Sequence, residues 1–184
     1  MADVQQSWNQ YALVAELAVR MKGHPFGRTA LQKLTYLLQE LYGVDTGYEF
    51  PLHTYGPYSS DLSGDLDTLA AMQGVHVTPD ARHGGYQISP GARADSVRTP
   101  GAAFVHTSTD AIGRVVDEFG GMSAKELELR ATIVFAHRDA RRRTVPIGED
   151  GLVEVVHQIK PHFSPEQIRG ALGELRGRGH LPGI

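Results

Sequence analysis

Leucines at 31, 34, 38 and 41 recur at the spacing of one helical face. Thr29 and Gln32 have the spacing of a capping box, so the pattern predicts a helix that starts near Thr29 and closes at Gly43. Lys33 and Glu40 fall off the leucine stripe and are expected in water. Upstream, Trp8, Tyr11, Ala15, Ala18 and Val19, joined by Leu13, Leu17 and Met21, predict a well-buried helix over 8–22, stopped by Gly23-His24-Pro25. Downstream, Tyr48, Phe50 and Leu52 alternate with Glu49, Pro51 and His53. That is the period of an extended segment, with Pro51 arguing for an edge. Tyr55-Gly56-Pro57-Tyr58 cannot continue a regular element, because Pro57 fixes its own φ and pushes Gly56 out of the α region. Ser59 or Ser60 then caps a third helix over 60–73, with Leu62, Leu66, Leu69 and Met72 inward and Gly74 at its end. Val75-His76-Val77 and Tyr86-Gln87-Ile88, on either side of a Gly84-Gly85 turn, read as a hairpin.

Three helices followed by a hairpin is the order of a winged-helix unit. The hairpin would be the wing and 60–73 the helix in the recognition position. Residues 89–107 lose the periodicity and read as a connection, with a small packed piece around Phe104 and Val105. The second half is helical again. Its predicted helices cover 108–119, 123–138 with a Ser123/Glu126 capping box, 150–160 up to Pro161, and a last one started by Ser164-Pro165-Glu166-Gln167. The expected architecture is mainly α (α+β). A winged-helix-like half with a short β-hairpin spans 1–90, a connection 91–107, and a helical half 108–184 packed on the first as one unit.

Composition narrows the picture by exclusion. A chain of 184 residues with 41% hydrophobic content supports a real core. There is no cysteine, hence no disulfide framework, which fits a reducing cytoplasm. The first ten residues lack the basic and apolar regions of a signal peptide, and no apolar run approaches a bilayer span, so a cytoplasmic location is expected. A net charge of −3 gives no global pull toward nucleic acid or membranes.

Candidate chemistry is sparse. The nine histidines are scattered and none makes a metal-ligand pair. There is no nucleophile elbow and no phosphate-binding glycine loop. A non-catalytic protein with no cofactor and no metal is therefore expected. Asp61 and Asp65 lie one turn apart on the third helix, where the macrodipole favours carboxylates. That helix has three aspartates and no Lys or Arg, so it would repel phosphates. The better nucleic-acid candidate is the arginine cluster Arg138, Arg141, Arg142 and Arg143, with Lys160, Arg169, Arg176 and Arg178 near it. The turn offers a third candidate, an aromatic surface formed by Tyr55 and Tyr58 with Tyr36, Tyr48 and Phe50. Most of these rings are expected in the core, with Tyr58 the most exposed. Gln32 and Lys33 are polar beside the turn and able to bond its carbonyls.

Two motifs carry a resemblance. Leu31-Gln32-Lys33-Leu34-Thr35-Tyr36, followed by Tyr55-Gly56-Pro57-Tyr58-Ser59-Ser60-Asp61-Leu62, resembles the hallmark of the bacterial Panacea, or SocA-like antitoxin, domain and of the related YwgA-like proteins. The stretches 127–138 and 155–175 are also similar to the YwgA-like pattern. The resemblance implies a protein-binding role of antitoxin or adaptor type, toward a toxin or a protease substrate. The long helical second half departs from many antitoxin members. The expected partner is a protein that meets Tyr55, Tyr58, Asp61 and Asp65. A homodimer through the same surface is compatible with this, and the alternative is a nucleic-acid-associated transcriptional regulator.

Overall fold

A computed structural model describes residues 2–81 and 84–184. The chain is mainly helical, with two small antiparallel hairpins. Helix α1 (Ala2–Arg20) begins earlier than the apolar stripe predicts. Its first turns are polar because they bind neighbours rather than fill the core. Gln5 donates to Pro100 O at 3.1 Å and Gln10 to Gly47 O at 3.1 Å.

Helix α2 (Arg28–Tyr42) is capped by Gly27 without a side-chain bond, not by Thr29. The Thr29/Gln32 spacing is thus not a capping box, since Gln32 is used elsewhere. Gly43 closes the helix at φ 70°, as its left-handed tolerance predicts. Residues 44–50 alternate between buried and exposed, so period two holds for burial. They nevertheless form no ladder. The paired residues are only β1 (Leu52–His53) and β2 (Gly56–Pro57).

Helix α3 (Ser60–Ala71) takes Ser59 as N-cap. Strands β3 (Val75–Pro79) and β4 (Tyr86–Pro90) then pair antiparallel, Val75 opposite Pro90. Arg82 and His83, just before the expected Gly84-Gly85 turn, lie outside the described residues.

The segment read as a connection is folded. It holds α4 (Ala94–Arg98), a 3-10 turn (Thr99–Gly101) and α5 (Ala102–Thr107), all laid on α1. One- and two-turn helices are too short to show a period. Gly101 permits the approach, because a Cβ there would stand 2.6 Å from Ala12 Cβ and 2.7 Å from Trp8 O.

Helix α6 (Thr109–Phe119) and helix α7 (Ala124–Arg142) both pack on α2. The Ser123/Glu126 capping box is present, and α7 runs beyond the predicted 138. Helices α8 (Glu149–Ile159) and α9 (Pro165–Gly177) cover the other side of α7, and α9 starts with the expected Ser164/Gln167 box. One continuous apolar cluster joins α1, α2, α3, α6, α7, α8 and α9. Helix α7 is buried on every side from Leu127 to Val134, and on one face as far as Ala140. Its polar residues Glu128, Arg130, Thr132 and His137 are buried with it.

Candidate functional site: the clamped Tyr-Gly-Pro turn

The β1–β2 turn is held from beneath by side chains of three helices. Lys33 is only 2% exposed, not in water as its place off the stripe predicts, and Glu40 is mostly covered too. The Lys33 ammonium donates to Pro57 O at 2.7 Å. Gln32 closes a two-bond ring with one residue. Its Nε2 donates to Ser59 O and its Oε1 accepts from Ser59 N, each at 2.8 Å. The expectation that these two side chains bond the turn therefore holds, and it explains why both are buried.

Lys160, at the C-terminal end of α8 and 2% exposed, donates to Thr54 O and stands 2.7 Å from Glu128 Oε1 of α7. The ammonium meets that oxygen as a charge pair rather than along a hydrogen-bond axis. His162 Nε2 lies 3.7 Å from the same oxygen. Gly56 sits at φ 87°, and a Cβ there would come within 3.1 Å of Thr132 Oγ1 and 3.5 Å of the Lys33 ammonium. Glycine is required by both the backbone and the close approach of α7.

The charge arrangement is uneven. Lys160 contacts the Glu128 carboxylate, which reaches the Lys33 ammonium only as a more distant charge. Burial, and secondarily the Lys160 charge, push the Lys33 ammonium down to about 8, against the opposing pull of Glu128.

Above the clamp, Tyr55 is 71% exposed and Tyr58 half-buried, its ring edge-on to His53 at 5.3 Å. Tyr55, not Tyr58, is thus the most exposed ring of the set. Tyr36, Tyr48 and Phe50 are core, as expected, with Tyr36 and Phe50 meeting edge-on at 5.4 Å. Tyr55, Tyr58, Leu31, Ser63, Leu66 and Arg28 border a cleft of about 150 Å³ between the turn, α2 and α3.

The acidic pair does not join this cleft. Asp61 is exposed, and Asp65 accepts the Tyr48 hydroxyl proton at 2.7 Å on another face of α3. Burial and the Asp61 charge raise the Asp65 carboxyl above its ordinary value. Asp67 pairs with Arg28 at 2.6 Å.

The arginine cluster is partnered within the chain. Arg138 donates to Glu40 O at 3.0 Å, Arg142 to the Glu40 carboxylate at 3.0 Å, and Arg141 to Pro182 O at 3.0 Å. Arg143 pairs with Asp139 at 3.0 Å. Lys160, expected near this patch, lies inside the clamp instead. Arg169 and Arg176 pair with Asp150 and Glu149.

Glu128 and Thr132 are site residues that sequence reasoning misses, and Lys160 is one it places elsewhere. The signal for Glu128 is indirect: it sits in the largely apolar stretch 127–136 of α7, where a carboxylate has no water-facing place. Among the described residues no cluster of three or more His, Asp or Glu side chains could hold a metal ion, and no helix is long and apolar enough to cross a membrane.

No known family model matches the chain. Over 117 residues it is 28% identical to the "Uncharacterized protein YwgA" of Bacillus subtilis (strain 168). The match covers 61% of this chain and 66% of that relative. The chain is thus a distant relative of a YwgA protein, in line with the YwgA-like part of the resemblance.

Proposed function

We propose that the protein is a non-catalytic protein-interaction module of antitoxin or adaptor type, presenting the clamped turn and its cleft to a partner protein. The observation that carries this reading is an exposed tyrosine over an apolar cleft, on a backbone turn fixed from below by Lys33, Gln32 and Lys160. A surface fixed before binding loses little conformational entropy on association, and a rigid tyrosine supplies contact area. The volume, about 150 Å³, is half the lower end of small-molecule sites, roughly 300 Å³. A cavity of about that size takes a benzene-sized group, which suits one side chain of a partner. The Panacea-like resemblance points the same way, and three helices with a hairpin after the third support reading the first ninety residues as winged-helix-like. The nucleic-acid alternative has less support, because the helix in the recognition position carries three aspartates and no Lys or Arg and would repel phosphates.

The test is a photo-crosslinker in place of Tyr55, expressed in the native cell. A stoichiometric protein should crosslink, and Tyr58→Ala should abolish the product while leaving the urea midpoint unchanged. No product, or one indifferent to Tyr58→Ala, would remove the reason for placing an interface here.

A further inference from the structure

The cleft is apolar in its floor and one-signed in its charge. Leu31, Leu66 and Tyr58 supply the apolar part. Arg28 is its accessible charged residue, the Lys33 ammonium being turned to Pro57 O beneath the turn, and no carboxylate is among the described residues that line it. Helix α2 begins at Gly27 with no side-chain cap and no acidic residue in its first turn, so its dipole adds to the same positive potential.

Arg28 is held but not committed. Its guanidinium lies 5.4 Å from the centre of the Tyr86 ring, and its carboxylate partner is Asp67. The side chains of that pair are 39% and 63% exposed. An ion pair this exposed is weak and exchanges with other carboxylates. A guanidinium binds a carboxylate through two parallel N–H bonds, so a better-placed carboxylate has a geometry ready for it.

We infer that the cleft captures the C-terminal residue of a partner polypeptide, with an apolar or aromatic side chain in the cleft and its α-carboxylate on Arg28 in place of Asp67. This rests on the interaction reading above and names the end of the partner that is bound. A chain end carries side chain and carboxylate on one Cα, which suits a cleft that holds one group and has Arg28 at its border. An internal acidic residue beside an apolar one would need room for a second side chain. A basic chain end would meet Arg28. The carboxylates that could have attracted it, Asp61 and Asp65, do not line the cleft.

The experiment is a library of hexapeptides with varied last residue, each made as free acid and as C-terminal amide, titrated by fluorescence anisotropy. Peptides ending in Leu, Ile, Phe or Tyr should bind, with the free acid favoured by about tenfold or more. Arg28→Gln should erase the preference for the acid, and Arg28→Lys should keep part of it. Asp67→Asn should tighten binding by removing the internal competitor. Equal binding of acid and amide would overturn the inference while leaving the interaction reading standing. Binding of N-acetyl-leucine as tight as that of the peptides would also overturn it, in favour of a small-carboxylate site. If no peptide binds but the Tyr55 crosslink still captures a protein, the C-terminal inference alone fails. If both are negative, the interaction reading fails with it.

Discussion

Two groups of charged side chains sit at different places along α7 and behave differently. Beneath the Tyr-Gly-Pro turn, Lys33, Glu128 and Lys160 are almost wholly buried, each ammonium on a backbone carbonyl and Lys160 also on the Glu128 carboxylate. At the C-terminal end of the same helix, Arg141, Arg142 and Arg143 reach comparable partners from an exposed surface. Distances are similar in the two groups. Solvent is not. A buried charge that loses its partner cannot turn to water, whereas an exposed one can. The contrast teaches that contact length is a poor guide to importance here and that burial decides it.

The strongest way to sharpen that comparison is Glu128→Ala. It leaves the buried Lys160 ammonium without its carboxylate and removes the attractive charge nearest Lys33, and breaking a buried pair from one side costs about 3–5 kcal/mol. Urea denaturation should show that loss. A cost below about 1 kcal/mol would mean that the cluster is solvated in solution and that the contrast is false. Gly56→Ala comes next, since it forces a Cβ at φ 87° toward Thr132 Oγ1. A left-handed non-glycine residue costs about 1–2 kcal/mol before any contact is counted. The same denaturation series should place it below Glu128→Ala.

A pH series reads the buried group through Lys33. The Lys33 ammonium is pushed from its ordinary 10.5 down to about 8 in the folded chain. Between those values the unfolded chain binds more protons than the folded one. Stability from this group is therefore lost as pH falls toward about 8, and rises as pH climbs toward 10.5. The stability of wild type minus that of Lys33→Met should accordingly increase from about pH 8 to about pH 10. Only part of the effect is expressed in the first unit. A flat or falling difference would show that Lys33 titrates as an ordinary surface lysine.

How far the sequence reveals these groups depends on chain separation. The capping boxes at Ser123 and Ser164 and the closing Gly43 are local signals and appear where the spacing puts them. Thr29/Gln32 has the same spacing and a different outcome, because Gln32 bonds Ser59, 27 residues on. Local pattern cannot distinguish a cap from a tertiary bond. Lys33 is legible only in part: its nearness to the turn is readable, its burial is not, since a lone lysine off a leucine stripe ordinarily faces water. Lys160 reaches Thr54 across 106 residues, and nothing near Pro161 announces it. The exposed Tyr55 and the cleft depend on how α2, α3 and the turn meet, which periodicity within each element does not encode.

The smallest effect is expected where the sequence looks most charged. Arg142 pairs with Glu40 at 3.0 Å, but its side chain is 62% exposed, so the pair works in water and loses side-chain entropy on forming. Arg142→Ala should cost at most about 1 kcal/mol, and less at high salt, because the Debye length falls to about 3 Å at about 1 M. The Glu128→Ala cost should hardly respond to salt, since its charges are shielded from ions by the protein itself. Glu40 also receives Arg138, so the pair must be isolated by a double-mutant cycle with Glu40→Gln rather than read from one variant. A coupling of several kcal/mol that survives molar salt would place the arginine end in the same class as the clamp. The contrast between a buried and a solvated charge group would then no longer describe this molecule.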